Sequence, residues 1–392
     1  MNRPISLHVQ RINSSPTGLI DKSVPLRILQ VNSTFTGGGV DNQTLELSAG
    51  LRDLGDDVTL AVAAGSRWEP RARQLGVRIA TFPRRSPAKA EMIRCWIRLI
   101  REHHTQIIHA HQGRDYWPAV FAARLAGRGT RVVVTRHLMA RPRRLSRLLL
   151  LRNADLIAVS HAVENVVRAH LDGPAERIHQ IYGGIDFSRF HTERTPDVWK
   201  FREQLGWPES AVVFAVVGSF HFPRGKGQLE FLEAAAVLSK EFPHARFAIL
   251  GYGEMESLLK ERIKGLGLAG VANVFEFHDQ MPLFMSALDV LVHPTTFTEA
   301  FPLVTLEALA SCRPVVASRK DGIVEGFLEA EHGLLVPPGD VPTLTEAMRT
   351  MACDGALRKR FGEAGCAHVR ARFGCETLAR RTRELYLQLC SA

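Results

Sequence analysis

The sequence predicts an α/β protein of two Rossmann-like, doubly wound domains that face each other across a central cleft. Three observations predict it. A length of 392 residues suits two or three domains at roughly 150 residues each. With 45% apolar and 23% charged residues, the composition is ordinary globular and excludes an extensively disordered or collagen-like chain. Short apolar runs alternate with longer segments of helical period in two successive series, which is the pattern of βαβ units and parallel sheets.

Residues 1–25 read as a flexible leader, because Asn, Ser, Pro and Gly interrupt them where a secretory signal has a continuous apolar core. The first series then supplies strands at Arg27–Val31, Asp57–Ala61, Gln106–Ala110, Arg131–Val134 and Leu156–Ser160. Helical period falls in Val40–Leu54, where Val40, Leu47, Leu51 and Leu54 share a face, and in Met92–Arg101 and Tyr116–Ala126. An irregular stretch near 184–200 leads to the second series, with strands at Val212–Val217, Arg246–Leu250, Val274–Phe277, Val290–His293, Val315–Ala317 and Leu334–Val336. Such sheets bind ligands beyond the carboxyl ends of their strands, so two facing ones frame a cleft.

Fifty Lys+Arg stand against 40 Asp+Glu, which points to an anionic partner: nucleic acid, an anionic membrane surface or a phosphate-bearing small molecule. The excess is one-sided. Residues 1–190 hold 28 basic and 15 acidic residues, the remainder 22 and 25. No apolar run approaches the ~20 residues of a membrane span. The cysteines at 95, 312, 353, 366, 375 and 390 show neither metal-finger nor redox spacing and read as reduced cytoplasmic thiols.

The first strand runs into Gly37-Gly38-Gly39, with a helix beginning at about Val40. Successive glycines permit close backbone approach, and the following helix N-terminus offers unpaired N–H groups, so the segment suits a diphosphate. A flexible strand-to-helix turn has the same appearance, and the Gly-x-Gly-x-x-Gly spacing of dinucleotide enzymes is absent. Gly251-Tyr252-Gly253-Glu254 reads as a tight turn opening a helix.

The most informative segment is Glu299-Ala300-Phe301-Pro302-Leu303-Val304-Thr305-Leu306-Glu307, followed by an apolar strand. It resembles the Glu, seven residues, Glu signature of retaining GT-B glycosyltransferases, close to glycosyltransferase family 4 (glycosyl transferases group 1). The resemblance implies that Glu299, in the loop entering a helix, contacts the donor sugar, and that Glu307, about two turns along, holds the ribose hydroxyls. Amides near Phe301 and Leu303 would cap the donor phosphates. Ala300 and Pro302 stand where the family usually has glycines, and proline removes one N–H donor. Val217 to Gly227 resembles the strand-loop that presents an Arg and a Lys to the diphosphate. Lys226 matches the lysine; Ser219 stands where the arginine is expected, which Arg224 supplies or nothing does. Gly38 and Gly39 match the phosphate-side glycines of the first domain, and Tyr182–Phe190 resembles the interdomain segment, with Gly183 where Asn is frequent.

Among the histidines, the resemblance favours His137 as a contact of the donor sugar. His109 reads as an inward strand residue, and His111 as either an acceptor-side or an ordinary loop residue. No resident cofactor or metal site is implied, and the nucleotide diphosphate sugar is a substrate. Two basic stretches remain. Arg84, Arg85, Lys89, Arg94, Arg98 and Arg101 surround a helix bearing Met92, Trp96 and Ile100, and six arginines from Arg136 to Arg152 lie among Leu145 and Leu148–Leu151. Each suits either an anionic bilayer or a core-facing helix with a solvated outer face. Nothing in them resembles a nucleic-acid-recognition motif.

The resemblance therefore implies a GT-B architecture: an acceptor-binding domain over 26–188, a nucleotide-sugar domain over 189–372, and a helix within 373–392 that crosses back to the first. The expected activity is a metal-independent, retaining hexosyl transfer from a nucleotide diphosphate sugar to a hydroxyl acceptor, such as a cell-envelope glycan or a lipopolysaccharide-type glycolipid. The expected location is cytoplasmic, with peripheral attachment to the inner face of the plasma membrane as an extension. A GT-B nucleotide-sugar epimerase or hydrolase and a catalytically degenerate binding protein are the rivals.

Overall fold

The computed structural model describes residues 24–33, 38–66, 68–83, 89–190, 192–223, 225–276 and 280–391. The leader up to residue 23, Arg84, Arg85 and the Lys89 side chain lie outside the described residues.

The first sheet has seven parallel strands: β1 (Arg27–Asn32), β2 (Asp57–Ala63), β3 (Arg78–Phe82), β4 (Ile107–Ala110), β5 (Arg131–Arg136), β6 (Asp155–Ala158) and β7 (Ile178–Gln180), in the order β3-β2-β1-β4-β5-β6-β7. Its helices are α1 (Gly39–Asp53), α2 (Glu69–Gln74), α3 (Lys89–Glu102), α4 (Tyr116–Ala126), α5 (Arg144–Asn153) and α6 (His161–His170). After α7 (Pro196–Gln204), the second sheet runs β10-β9-β8-β11-β12-β13, from β8 (Val212–Val217), β9 (Ala245–Gly251), β10 (Ala272–Glu276), β11 (Val290–His293), β12 (Val315–Ser318) and β13 (Gly333–Val336). Its helices are α8 (Gln228–Glu241), α9 (Glu256–Gly265), α10 (Met281–Ala287), α11 (Leu303–Ala310), α12 (Ile323–Gly326), α13 (Val341–Cys353), α14 (Gly355–Arg372) and α15 (Cys375–Ser391).

Central strands are apolar on both faces because helices cover both. Ile28, Leu29 and Val31 of β1, and Val213 to Val217 of β8, are buried. Each sheet changes winding direction beside its first strand, between β1 and β4 and between β8 and β11. The carboxyl ends of these strands are where a doubly wound sheet opens a ligand crevice. α15 packs against α1, burying Leu378, Ala379 and Tyr386 beside Leu26, Ile28 and Leu51. At the domain boundary Ile185 N donates to Phe373 O at 2.9 Å, and Cys375 N to Ile185 O at 3.1 Å.

β3 and β7 are not among the sequence-predicted strands. β3 is an edge strand whose residues are exposed or half-exposed except Phe82, and β7 has three residues, so neither shows an apolar run. β10 ends at Glu276, and Phe277 lies outside the described residues. The basic stretch on α3 takes the core-facing alternative, since Trp96, Leu99 and Ile100 are buried in the first domain. Among the described residues no helix is long and apolar enough to cross a membrane.

Candidate active site

The two crevices face each other and form one cleft of about 360 Å³. On the second-domain side, β8 ends at Val217 and the chain loops to α8. Gln228 at the start of α8 braces this loop: its Oε1 accepts from Lys226 N at 2.6 Å, and its Nε2 donates to Gly218 O at 3.3 Å. The Gly251–Glu254 turn opens α9, as the sequence suggests, and also lies against the loop. A Cβ at Gly253, where φ is +156°, would come within 2.3 Å of Phe220 O. Lys226 is thereby aimed into the cleft.

β11 ends at His293, and the following segment carries Glu299. Its backbone is held from both sides, with Glu299 N donating to Asp321 Oδ2 at 3.2 Å and Gly322 N donating to Glu299 O at 3.0 Å. Gly322 cannot carry a side chain there, because a Cβ would lie 1.8 Å from Ala300 O. The Glu299 Oε1 accepts from Lys226 Nζ at 2.5 Å, and His293 Nε2 sits 3.3 Å from the same oxygen, off the line of a hydrogen bond. Burial would raise this carboxyl, but His293 and the Lys226 ammonium outweigh it and hold it down at about 2. Glu299 is therefore ionised at neutral pH.

α11 begins after Pro302, the residue preceding its first turn, so the absent proline N–H falls just outside the helix. The first-turn amides at Leu303 and Val304 belong to the set a helix leaves unpaired, and both residues line the cleft. Phe301 lines it too, while its ring packs 5.1 Å from Tyr182 and 5.5 Å from Phe373, measured between centroids. Because the helix starts at Leu303, Glu307 lies just over one turn along it rather than two. Its carboxylate has no hydrogen bond or ion pair among the described residues. Burial pushes it up to about 7 against the opposing pull of Arg189 and Arg71.

Gly38, Gly39, Asn42 and Gln43 at the head of α1 form the opposite wall, with His137 and Arg189. A Cβ at Gly38 would meet nothing within 4 Å, and one at Gly39 would face Leu303 Cδ1 at 3.9 Å. Both glycines keep the cleft wide where α1 and α11 point their N-termini at each other. His137 is neutral, burial pushing it down to about 3, and its Nε2 has no partner. Behind it, His109 is fully buried between Tyr386 OH at 2.5 Å and Thr135 Oγ1 at 2.6 Å, and His111 Nε2 meets Gln30 Oε1 at 2.7 Å. Both His109 and His111 thus belong to a buried network that ties α15 to the first sheet. His111 lies in the loop that follows β4 and is buried, so it is not exposed to an acceptor.

The structure brings His137, Lys226, Glu299, Gly38, Gly39, Phe301, Leu303 and Glu307 to one cleft. Ser219 lines it as well. Arg224 and Gly37 lie outside the described residues. Gln43 and Glu325 lie at the cleft or boundary outside every segment singled out in the sequence, whereas Arg189 and His293 lie within or beside such segments without having been named as site residues. Glu325, on α12, accepts from the α6 amides of His161 and Ala162, each at 2.8 Å, and from Tyr182 OH at 2.9 Å. Ser160 Oγ donates to Ala300 O at 2.6 Å. These bonds fasten the first domain to the Glu299 loop. Among the described residues no group of three or more His, Cys, Asp or Glu side chains could hold a metal ion.

Residues 197–368 match the family described as glycosyl transferases group 1, and residues 37–189 match glycosyltransferase family 4. A D-inositol 3-phosphate glycosyltransferase of Corynebacterium urealyticum is 30% identical over 259 residues, which span 63% of this chain and 60% of that relative. Among solved structures, Anabaena HepE in complex with UDP and glucose superposes with a TM-score of 0.80 at 22% identity, over 92% of this chain and 99% of that one. A glycosyltransferase of Rickettsia africae gives 0.81 at 19% identity, over 93% and 98%. At these identities the structural likeness is one of fold.

Proposed function

The chain belongs to the group 1, family 4 glycosyltransferases of GT-B fold, and from that premise we propose that it moves a hexose from a nucleotide diphosphate sugar to a hydroxyl acceptor with retention of configuration. The observation that carries this reading is the Lys226–Glu299 pair at 2.5 Å, set between the N-termini of α1 and α11 with an unpartnered Glu307 one turn below.

Each group has a role that its environment supports. The Lys226 ammonium and the amides heading α11 and α1 offset the charge that gathers on the departing diphosphate, the work a divalent cation does in metal-dependent enzymes. Glu299, ionised and clamped at its backbone, accepts hydrogen bonds from sugar hydroxyls and orients the ring. The neutral His137 lines the opposite wall on the sugar's side of the cleft. Glu307 takes the ribose hydroxyls. In the transfer step the anomeric C–O bond breaks with its electron pair passing to the phosphate oxygen. The acceptor oxygen bonds to the anomeric carbon on the same face, and its proton passes to that phosphate oxygen. No covalent nucleophile and no metal enter this scheme.

HepE, of the same fold, holds UDP and glucose, which makes UDP-glucose the first donor to try. We assign the acceptor to the cell-envelope glycans and glycolipids, including lipopolysaccharide, and the enzyme to the cytoplasmic side. A nucleotide-sugar panel with and without acceptors tests the assignment. Acceptor-dependent release of nucleoside diphosphate supports transfer, an isomerised donor supports the epimerase, and tight binding without release supports an inert module.

A further inference from the structure

The α5 stretch, unlike α3, leaves its apolar residues uncovered. Only Leu150 and Leu151 of α5 are buried, while Leu145 and Leu148 are each 53% exposed, on the side turned away from the core. Neighbouring α4 does the same, with Phe121 46% and Leu125 61% exposed. The two helices are fastened into one plate, since Trp117 Nε1 donates to Ser146 Oγ at 3.0 Å and Arg124 bonds Asn153 Oδ1.

The two helices carry charge of one sign: Arg124, Arg144, Arg147 and Arg152 are exposed on them, and neither helix holds an Asp or Glu. At the end away from the cleft, Arg124, Arg131, Arg152 and Arg177 line a pocket of about 340 Å³, whose carboxylate, Asp155, is engaged 3.2 Å from His179 Nε2. At the other end Leu138, 63% exposed, directly follows the cleft residue His137.

We infer that the outward faces of α4 and α5 dock on an anionic lipid bilayer, with the leucines entering the headgroup–acyl boundary and the arginines meeting lipid phosphates. A second copy of the chain fits poorly, because pairing this face with itself sets the exposed Arg124, Arg144, Arg147 and Arg152 of the two helices against the same residues of the other copy. A nucleic acid would engage the arginines and leave the leucines in water. That the bilayer also presents the acceptor at the cleft mouth rests on the transfer reading above; the docking itself does not.

Sedimentation with phosphatidylcholine vesicles, with and without phosphatidylglycerol, tests the surface. The wild-type chain is expected to pellet with the anionic vesicles alone. Arg143→Ser/Arg144→Ser/Arg147→Ser should weaken that binding on the order of 100-fold, and Leu145→Ser/Leu148→Ser by about tenfold or more. Both variants keep the wild-type melting temperature and donor affinity, since none of these side chains is buried. Absence of wild-type binding to anionic vesicles would overturn the inference, as would equal binding by the variants. So would self-association, or binding to duplex DNA in place of vesicles, that the leucine variant abolishes. Vesicle binding without transfer to any acceptor keeps this surface and removes the transfer reading; transfer to a soluble acceptor without vesicle binding does the reverse.

Discussion

The Tyr182 hydroxyl donates to Glu325 Oε2 across the domain boundary at 2.9 Å. The same carboxylate takes the His161 and Ala162 amides, where the positive end of the α6 dipole favours a negative charge. Glu325 thus joins the first domain to the helix that follows Gly322, the residue bracing Glu299. Contacts of this kind at a helix N-terminus contribute up to about 2 kcal/mol. Glu325→Ala should therefore lower kcat/KM by up to about 30-fold and enlarge the radius of gyration seen by small-angle scattering. Wild-type kinetics and compactness in the variant would remove Glu325 from the account.

Glu307 gives the pH dependence a sign. Burial holds its carboxyl up at about 7, whereas ribose hydroxyls donating to it would favour the ionised form and lower that value on binding. Donor affinity should then rise with pH through about 7 and level off above, with the weakening on the acid side approaching about tenfold per pH unit. His137, held near 3, contributes no limb in this range. Calorimetric titration should find the dependence in the wild type and in His137→Gln, and lose it in Glu307→Gln. A dependence that survives Glu307→Gln belongs to another group.

Lys226 is asked to stabilise charge that exists only as the donor breaks. Lys226→Ala should lower kcat by about 10²–10³ while changing donor affinity much less. It also leaves the Glu299 carboxylate with His293 alone, so the Glu299 carboxyl should rise from about 2. Steady-state turnover separates the cases, and a rate near that of the wild type would contradict the role.

Gly322 tests the scaffold rather than the chemistry. A Cβ 1.8 Å from Ala300 O forces the Glu299 loop to move, at a cost of about 1–3 kcal/mol. Gly322→Ala should both melt earlier and turn over more slowly. A variant matching the wild type in both would show that the loop moves freely.

Much of this cleft is legible in the residues because its chemistry is local. A strand, a glycine run and a helix start place Gly38 and Gly39 wherever the first domain docks, and one helix carries the spacing of Glu299 and Glu307. His293 was readable as a strand-end histidine, but its place 3.3 Å from Glu299 depends on how the next loop folds back. Gln43, Arg189 and Glu325 acquire their positions only when the two domains meet, which no window of sequence contains. The two basic stretches make the same point. Apolar residues recur among arginines in both, and only packing shows that Trp96 is covered while Leu145 is not.

The most direct test is to incubate the chain with UDP-glucose and other nucleotide sugars, with and without candidate acceptors, and to follow nucleoside diphosphate and the anomeric configuration of any product by NMR. Acceptor-dependent release of the diphosphate and a glycoside with the donor's configuration are expected. Both should collapse in Glu299→Gln although the donor still binds. A product of inverted configuration, or full activity in Glu299→Gln, would contradict the proposed transfer.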